Sequence, residues 1–412
     1  MDRPTNEMVI TSVLTFEQPL SFERVEALVR DRLLPIRRFR ERIVWSRLGL
    51  PSWRLDARFD LATHLHRAAL PAPGGDAELA IEVEDIAAQP LDRDRPLWRL
   101  HAVEGYRGGT ALVMRLHHCI GDGVALIAML LGITDEGRAL RPPAVGQLEP
   151  QPTTLAARAR RLATQGVTLA RLLLLPPDHR SALRGPLGQR KRFALAPPID
   201  LAEIKQIAAA HGTTVNDVVV AAIAGALGDY LAGGPGTHRG LRAMLPLYLR
   251  GRGAPGELGN NFGLVYLDLP LDVADPVERL AITHRRMAAI KQSPEATVAL
   301  EVLGAIGIVP RPVEDLAIAL FTLKASVMIT NIAGPPGPLH LEGARVAGMS
   351  VWAPVSGLLG LGISILSYAG TVRIGVAADG GLIPEPAKIA GAIARQLKVL
   401  ASAMRSSKVA MA

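Results

Sequence analysis

The 412-residue chain has little cysteine and few aromatic residues. Its one cysteine, Cys119, leaves no partner for an intrachain disulfide and no set of thiolates for a metal cluster. Aromatic residues make up 4% of the sequence, too few to predict single-strand nucleic-acid binding by base stacking. Zinc-finger and RNP-like patterns are missing as well. Nucleic acid is therefore not an expected partner.

The start of the sequence lacks the pattern of a secretory leader. Asp2, Arg3 and Glu7 come before any apolar run, whereas a leader has a long apolar stretch after its basic residues. We therefore expect a cytoplasmic protein that is not secreted.

Charge and hydropathy point to an acidic or lipid partner. The chain has 46 basic and 38 acidic residues, a net charge of +8, and 49% apolar residues. Its mean hydropathy of +0.23 is high for a protein that does not handle lipid. These values favour contact with an anionic membrane surface or a phosphorylated ligand.

One long stretch carries no charge. Residues Val346 to Val372 are numerous enough to cross a bilayer, but they include Pro354 and five glycines. Large apolar residues alternate with small ones from Leu359 to Ile365, which is a strand period. The stretch is therefore predicted to be a buried hairpin that lines a pocket, in preference to a membrane helix.

Strands and helices alternate in two halves of the chain. We predict an N-terminal domain over 1–140, a basic, proline-containing linker over 141–195 and a C-terminal domain over 196–412. In the first domain a strand over Thr110 to Leu116 leads into a loop, and an apolar helix follows over Val124 to Leu131. Such a loop presents its side chains at a sheet edge.

That loop reads His117-His118-Cys119-Ile120-Gly121-Asp122-Gly123. Histidine is suited to take a proton from a hydroxyl, since its pKa lies near neutrality. Asp122 can fix the loop, for which the spacing suggests an arginine partner. Other interpretations are a structural histidine pair, a zinc site, or Cys119 as nucleophile. A serine hydrolase has less support because the chain has no Gly-x-Ser-x-Gly.

The His-His-x-x-x-Asp-Gly run resembles that of the coenzyme A-dependent acyltransferase superfamily. Within it, the chain is similar to the bacterial wax ester synthase/acyl-CoA:diacylglycerol acyltransferases. Three more blocks along the sequence carry this resemblance: Pro96-Leu97-Trp98 after Pro90-Leu91-Asp92-Arg93, Gly212 to Val218 with Asn216-Asp217, and Asn331 with Gly334-Pro335, then Ser367-Tyr368 and Asp379.

The resemblance implies the fold and the activity. The fold would be of the mixed α/β (α+β) class, with two chloramphenicol-acetyltransferase-like domains, sheets flanked by helices, and the active site between them. The activity would be transfer of an acyl group from acyl-CoA to diacylglycerol, a long-chain alcohol or both. Neither a cofactor nor a metal is implied, because acyl-CoA is a co-substrate. We also expect the enzyme to sit peripherally on the inner membrane or on lipid droplets, because such substrates do not dissolve in water and the chain is basic. The segment Leu169 to Leu175 offers an apolar stripe for this contact, with basic residues nearby: Arg158, Arg160, Arg161 and Arg171.

The resemblance also implies residue roles. His118 would be the general base, His117 its support and Asp122 the residue that orients the loop. Gly123 would contact substrate or support the loop. Asn216 would position substrate or help an oxyanion. For Trp98, packing in the core is a simpler interpretation than contact with a ligand. Asn216 and Asp217 could equally serve to begin a helix. Asn331 could equally serve to form a turn with Gly334-Pro335.

Some residues depart from the family pattern, and other functions stay open. Ile332-Ala333 replaces the usual Val-Pro, and Gly380 follows Asp379 where a basic residue is usual. These departures bear on acceptor preference more than on catalysis. The rival functions are a condensation-type acyltransferase with another acceptor and a non-catalytic lipid-surface protein.

Overall fold

The computed structural model describes residues 5–46, 51–137, 155–232, 240–249, 260–307, 309, 311–355 and 357–411. These residues form two large mixed sheets with helices around them, which is the predicted fold class. A separate two-stranded hairpin, β2 (Glu41–Trp45) with β3 (Pro51–Leu55), lies beside the first sheet.

The first sheet has six strands in the order β12-β13-β1-β6-β5-β4. Five come with the bounds β1 (Val9–Phe16), β4 (Leu65–Ala69), β5 (Trp98–Tyr106), β6 (Gly109–His117) and β13 (Ala344–Trp352), and the short edge strand is β12 (His340–Leu341). All neighbours are antiparallel except β4 and β5. The helices of this half are α1 (Phe22–Leu28), which continues as a π-helical turn over Val29–Leu33, α2 (Asp76–Ala88) and α3 (Gly123–Ile133).

The second sheet follows the order β10-β9-β11-β14-β15-β7, and β8 also pairs with β15. Its strands are β7 (Lys191–Leu195), β8 (Ile199–Asp200), β9 (Leu241–Tyr248), β10 (Phe262–Leu269), β11 (Val327–Ala333), β14 (Leu361–Tyr368) and β15 (Thr371–Asp379). The remaining helices are α4 (Leu155–Leu174), α5 (Leu201–Ala210), α6 (Val215–Ala232), α7 (Pro276–Gln292), α8 (Glu295–Ile306), α9 (Arg311–Thr322) and α10 (Pro386–Met411).

The uncharged stretch Val346 to Val372 does not form the predicted hairpin. Its first strand, β13, pairs with β1 in the first sheet, whereas its second strand, β14, pairs with β11 and β15 in the second. Both strands are almost wholly buried, which explains the lack of charge. The prediction of buried strands in this stretch is therefore confirmed, but the prediction that they pair with each other as a hairpin is wrong.

Two strands pair across the predicted domain boundaries. Strand β13 comes from the C-terminal range and completes the first sheet, while β7, from the predicted linker, pairs with β15 in the second. The Tyr368 hydroxyl, at the end of β14, links the second sheet to the first: it accepts a hydrogen bond from the Leu339 N–H and donates one to the Val346 carbonyl of β13. The two halves are thus tied together around the cleft between them.

Helix α6 is the central helix of the second core. Gly212, at φ +62°, ends α5 in the left-handed conformation that glycine adopts freely. Thr214 and Asp217 then exchange side-chain and backbone hydrogen bonds at the start of α6. Among the described helices α6 alone is long and apolar enough to cross a bilayer, but 67% of it is buried inside the protein.

The buried His101 side chain is expected to make the fold sensitive to acid. His101 is 6% exposed, and its ring centroid lies 4.9 Å from that of His66, with the two rings tilted. Burial, and after it the charges of His66, Arg115 and Arg99, lower the pKa of His101 to about 4. The unfolded chain binds the proton at about pH 6.5, so stability is lost as the pH falls from there towards the folded pKa.

We therefore expect His101 to cost about 2 kcal/mol of stability between roughly pH 7 and pH 5. Urea unfolding at the two values measures it, and His101→Leu should have a smaller difference than the parent. An equal pH dependence in the two proteins would show that His101 is not the group responsible.

Candidate active site

The histidine loop lies between β6 and α3, as the sequence predicts. The His118 N–H donates to the Met8 carbonyl at the start of β1, and Ile120 anchors the loop in the core at 1% exposure. His117 stays at the end of β6, where its Nδ1 accepts from the Cys119 N–H at 3.2 Å. His118 faces the cleft, and His117 supports the turn that carries it.

Asn260 holds His118 by two hydrogen bonds. Its side-chain amide donates to the His118 carbonyl at 3.0 Å, and its Oδ1 lies 2.9 Å from His118 Nδ1. The first bond fixes which end of the amide is the NH₂ group, so the other end is an acceptor. His118 must then carry its proton on Nδ1. Its Nε2 is left with a lone pair, which is the form a general base requires.

The surroundings keep His118 neutral. Burial lowers its pKa, and this effect outweighs the hydrogen bond that Nδ1 donates to Asn260 Oδ1 and the charge of Asp122, which raise it. The imidazole edge also packs against the Phe262 ring, with centroids 5.6 Å apart. A neutral imidazole at neutral pH can accept a proton from a hydroxyl.

Asp122 is the N-cap of α3 and is 4% exposed. Its Oδ1 accepts from the Ala125 N–H at 2.9 Å, and its Oδ2 accepts from the Asn261 N–H at 2.8 Å. The suggested arginine partner is wrong within the described residues, since backbone amides occupy both oxygens. Asn260 and Asn261 are neighbours ahead of β10, so one short segment holds both His118 and Asp122.

Asn216 and Asn331 meet across the cleft. The Asn331 side-chain amide donates to Asn216 Oδ1 at 2.8 Å, and both residues line the same cavity as His118. Asp217 does not join them: it is buried at the start of α6, where it accepts from the Thr214 N–H and pairs with His284 Nδ1 at 2.8 Å. Asn216 thus lines the cavity beside His118, whereas Asp217 is buried at the start of α6 and does not face the cavity.

The Pro96-Leu97-Trp98 block lies behind the histidine loop. Trp98 is fully buried, stacks on His64 and donates from its indole to the Phe39 carbonyl at 2.8 Å. The Leu97 carbonyl accepts from the His117 N–H at 2.9 Å. Core packing, the simpler interpretation of Trp98, fits this geometry, and none of the three residues lines the cavities beside His118.

Two cavities meet at His118. The first is narrow, about 130 Å³, and almost wholly apolar; it runs between β1, β6, α1 and α3. The second, about 370 Å³, also has polar lining residues, among them Asn216, Tyr248, Lys291 and Asn331. Their shared wall consists of His118, Gly123, Ile127, Thr330, Ile332 and Ala353.

Gly123 lies where the cavities join. A Cβ atom there would lie 2.9 Å from Ile332 Cδ1, so a larger residue would push against the opposite wall. The uncharged stretch contributes to both cavities through residues such as Met349, Ala353 and Leu366, as predicted for a pocket lining. Cys119 is half-buried and lines neither cavity. Among the described residues no three His, Cys, Asp or Glu side chains gather closely enough to hold a metal ion.

Sequence reasoning did not identify Asn260, and its role is testable. Asn260→Ala removes the acceptor that holds the proton on Nδ1, so we expect kcat to fall roughly tenfold to a hundredfold with KM little changed. Asn260→Asp retains an acceptor for Nδ1 and should recover part of the lost rate. Equal rates for Asn260→Ala and the parent would contradict the role.

Comparison with known proteins bears on the whole chain. Residues 1–172 match the family model described as the wax ester synthase/diacylglycerol acyltransferase catalytic domain, and residues 258–401 match the WS/DGAT C-terminal domain. A protein of Mycobacterium tuberculosis H37Rv described as a diacylglycerol O-acyltransferase is 33% identical over 92% of this chain and 88% of its own length. Another from that strain is 28% identical over the same shares.

Solved structures share the fold. The wax ester synthase/diacylglycerol acyltransferase from Marinobacter aquaeolei VT8 superposes with a TM-score of 0.73 at 26% identity, covering 98% of this chain and 96% of that one. The first condensation domain of the CDA synthetase superposes with a TM-score of 0.61 at 17% identity over 96% and 90% of the two chains, which is a likeness of fold alone.

Proposed function

Because this chain belongs to the wax ester synthase/diacylglycerol acyltransferase family and is an acyltransferase, we propose that it esterifies diacylglycerol, a long-chain alcohol or both by direct attack on acyl-CoA, with His118 as general base. The observation that carries the mechanism is the position of His118 at the junction of two cavities, with its Nδ1 held by Asn260 Oδ1. The neutral imidazole with its proton on Nδ1 follows from that contact and from the lowered pKa.

The lining of the cavities supports lipid substrates. The apolar cavity offers an alkyl chain an apolar channel that His118 helps to line, whether that chain belongs to the acyl group or to the alcohol. The wider cavity adds polar groups, which suit the ester and hydroxyl oxygens of a glyceride or the amides of the coenzyme arm. A substrate from each side would bring hydroxyl and thioester together at Nε2.

The reaction then runs in one complex. His118 Nε2 takes the hydroxyl proton as the alcohol oxygen bonds to the thioester carbon, and a tetrahedral oxyanion forms. When the carbon–sulfur bond breaks, the coenzyme A thiolate leaves and takes the proton back from Nε2. The products are the ester and free coenzyme A, with no acyl-enzyme and no cofactor.

Asn216 is the proposed polar partner of the reacting group. Its Oδ1 accepts from Asn331, so its NH₂ group is left to donate and has no partner among the described residues. Such a donor at a developing oxyanion typically contributes about 3–4 kcal/mol to catalysis. The Asn216–Asn331 bond would fix its orientation.

Product analysis tests the function. Purified protein is incubated with labelled palmitoyl-CoA and either dioleoylglycerol or hexadecanol, and the lipids are separated by thin-layer chromatography. Labelled triacylglycerol or wax ester is expected. Free palmitate as the only labelled product would contradict the proposal and indicate hydrolysis. Product only with an amine or amino-acid acceptor would favour the condensation-type rival.

Peripheral attachment to a lipid surface is part of the proposal. Its substrates do not dissolve in water, and α4 exposes Val167, Leu173 and Leu174 beside Arg160 and Arg171. An exposed apolar stripe beside basic residues is typical of interfacial helices. The side chains of Arg158 and Arg161, which the sequence placed in the same basic stretch, lie outside the description.

High salt or carbonate should therefore release the protein from membrane pellets. The expectation rests on the burial of α6 and of both strands in Val346 to Val372, which leaves no described apolar segment free to span. Release is measured by immunoblotting of supernatant and pellet. Retention after carbonate, with extraction only by detergent, would mean that the chain is integral to the membrane.

A further inference from the structure

The wall shared by the two cavities contains two polar side chains, His118 and Thr330. Its other residues, none of which has a polar side chain, are Gly123, Ile127, Ile332 and Ala353. Asn216 and Asn331, by contrast, line only the wider cavity. The proposed function brings hydroxyl and thioester together at this wall, so the Thr330 side chain is placed to contact the atoms that react.

The position of Thr330 on β11 places its side chain beside the histidine loop. Successive side chains of a strand point to opposite faces, so Thr330 shares its face with Met328 and Ile332. Ile332 lies against Gly123, since its Cδ1 would be 2.9 Å from a Cβ atom added there. Neighbours on one face of a strand are roughly 7 Å apart, so Thr330 follows in the next row along the same wall.

The Thr330 hydroxyl has no hydrogen-bond partner among the described residues, although the residue is half-buried. A hydroxyl in apolar surroundings destabilises a fold unless it is hydrogen-bonded, and valine would fill nearly the same space. The register partner of Thr330 in β14 is Ser364, and its hydroxyl is used within the fold: it accepts from the Ala353 N–H at 2.9 Å. The hydroxyl of Thr330 is left for a partner that arrives with the substrates.

We propose that Thr330 donates a hydrogen bond from Oγ1 to the carbonyl oxygen of the acyl thioester and stabilises the negative charge that develops there. The inference rests on the proposed function and adds a second donor to the one assigned to Asn216. As the alcohol oxygen bonds to the thioester carbon, the carbonyl electron pair moves onto the oxygen that Thr330 binds. The pair returns when the carbon–sulfur bond breaks. Thr330 keeps its proton throughout, while His118 takes the proton of the alcohol.

Thr330→Val tests the proposal, because it removes the hydroxyl and keeps the shape of the side chain. We expect kcat for coenzyme A release from palmitoyl-CoA to fall about a hundredfold with KM little changed, since the hydrogen bond strengthens as charge develops. Thr330→Ser keeps the hydroxyl and should recover most of the rate. Thr371→Val is the control: Thr371 lies in β15 of the same sheet, lines neither cavity, and should be dispensable for the rate. All three variants should melt like the parent.

An inhibitor without a carbonyl separates this role from a role in packing. S-hexadecyl-coenzyme A is a thioether with no oxygen for Thr330 to bind, so its inhibition constant should be equal for the parent and Thr330→Val. Parent-like kcat in folded Thr330→Val, or equal losses in the valine and serine variants, would overturn the proposal. So would a tenfold weaker inhibition of Thr330→Val by the thioether, which would show that Thr330 shapes the pocket.

The acceptors distinguish this proposal from the proposed function. Coenzyme A release is measured with hexadecanol, with dioleoylglycerol and with an amine, because the same charge develops on the thioester oxygen whichever acceptor attacks. If the parent reacts only with the amine and Thr330→Val still loses that activity, the proposed function is wrong and the role of Thr330 stands. If the parent forms ester and Thr330→Val forms it equally fast, the role of Thr330 is wrong and the proposed function stands.

Discussion

Replacing His118 with alanine should lower kcat for ester synthesis by about 10²–10⁴. The variant loses the Nε2 atom that takes the hydroxyl proton and returns it to the leaving thiolate. Asn260 and Met8 bind the His118 backbone as well, so the loop retains those anchors. Initial rates of coenzyme A release with palmitoyl-CoA and hexadecanol measure the loss.

His117→Ala is the matched control. Its Nδ1 accepts from the Cys119 N–H, and its side chain lines neither cavity, so we expect a smaller loss than for His118→Ala. Both variants should keep the parent's circular dichroism. Near-normal turnover by folded His118→Ala would rule out the general base, and a larger loss for His117→Ala would exchange the two roles.

Asp122→Asn should lower stability and activity together. The remaining side-chain oxygen can still accept from the Ala125 N–H and cap α3. The new NH₂ group then faces the Asn261 N–H, so two donors meet and neither has an acceptor. An unsatisfied buried donor costs about 1–3 kcal/mol. Because Asn260 adjoins Asn261, the displacement should reach the His118 ring, and we expect at least roughly a tenfold loss of rate.

Urea unfolding and rate measurements on the same preparation test this pair of effects. Asp275→Asn, at the N-cap of α7, is the control for a cap that has no contact with the histidine loop. It should leave the rate unchanged. If Asp122→Asn unfolds like the parent yet is inactive, a direct catalytic role is the better explanation.

Local structure was largely readable from the sequence. The strand before the histidines, helix α3 and the start of α6 at Asp217 depend on periodicity and on caps that involve neighbours within a few residues. The partner of a strand is a different matter. The pattern of the uncharged stretch predicts strands, but it does not determine that β13 pairs with β12 and β1, and not with β14.

The supports of the active site were harder to predict for the same reason. Asn260 is 142 residues from His118, in a segment with no periodic pattern, so its two bonds to the histidine become visible only in three dimensions. An arginine was the expected partner of Asp122 because charge favours it. The folded chain instead brings backbone amides to both oxygens, which a sequence pattern cannot indicate.

The most direct test of the proposed chemistry is a comparison of labelled palmitoyl-CoA with and without hexadecanol. Direct attack predicts that coenzyme A and wax ester appear in equal amounts with the alcohol, that neither forms without it, and that both disappear in His118→Ala. It also predicts that no label remains on the protein after denaturation. Coenzyme A release without alcohol, together with labelled protein that is lost in Cys119→Ala, would contradict direct attack and indicate an acyl-enzyme.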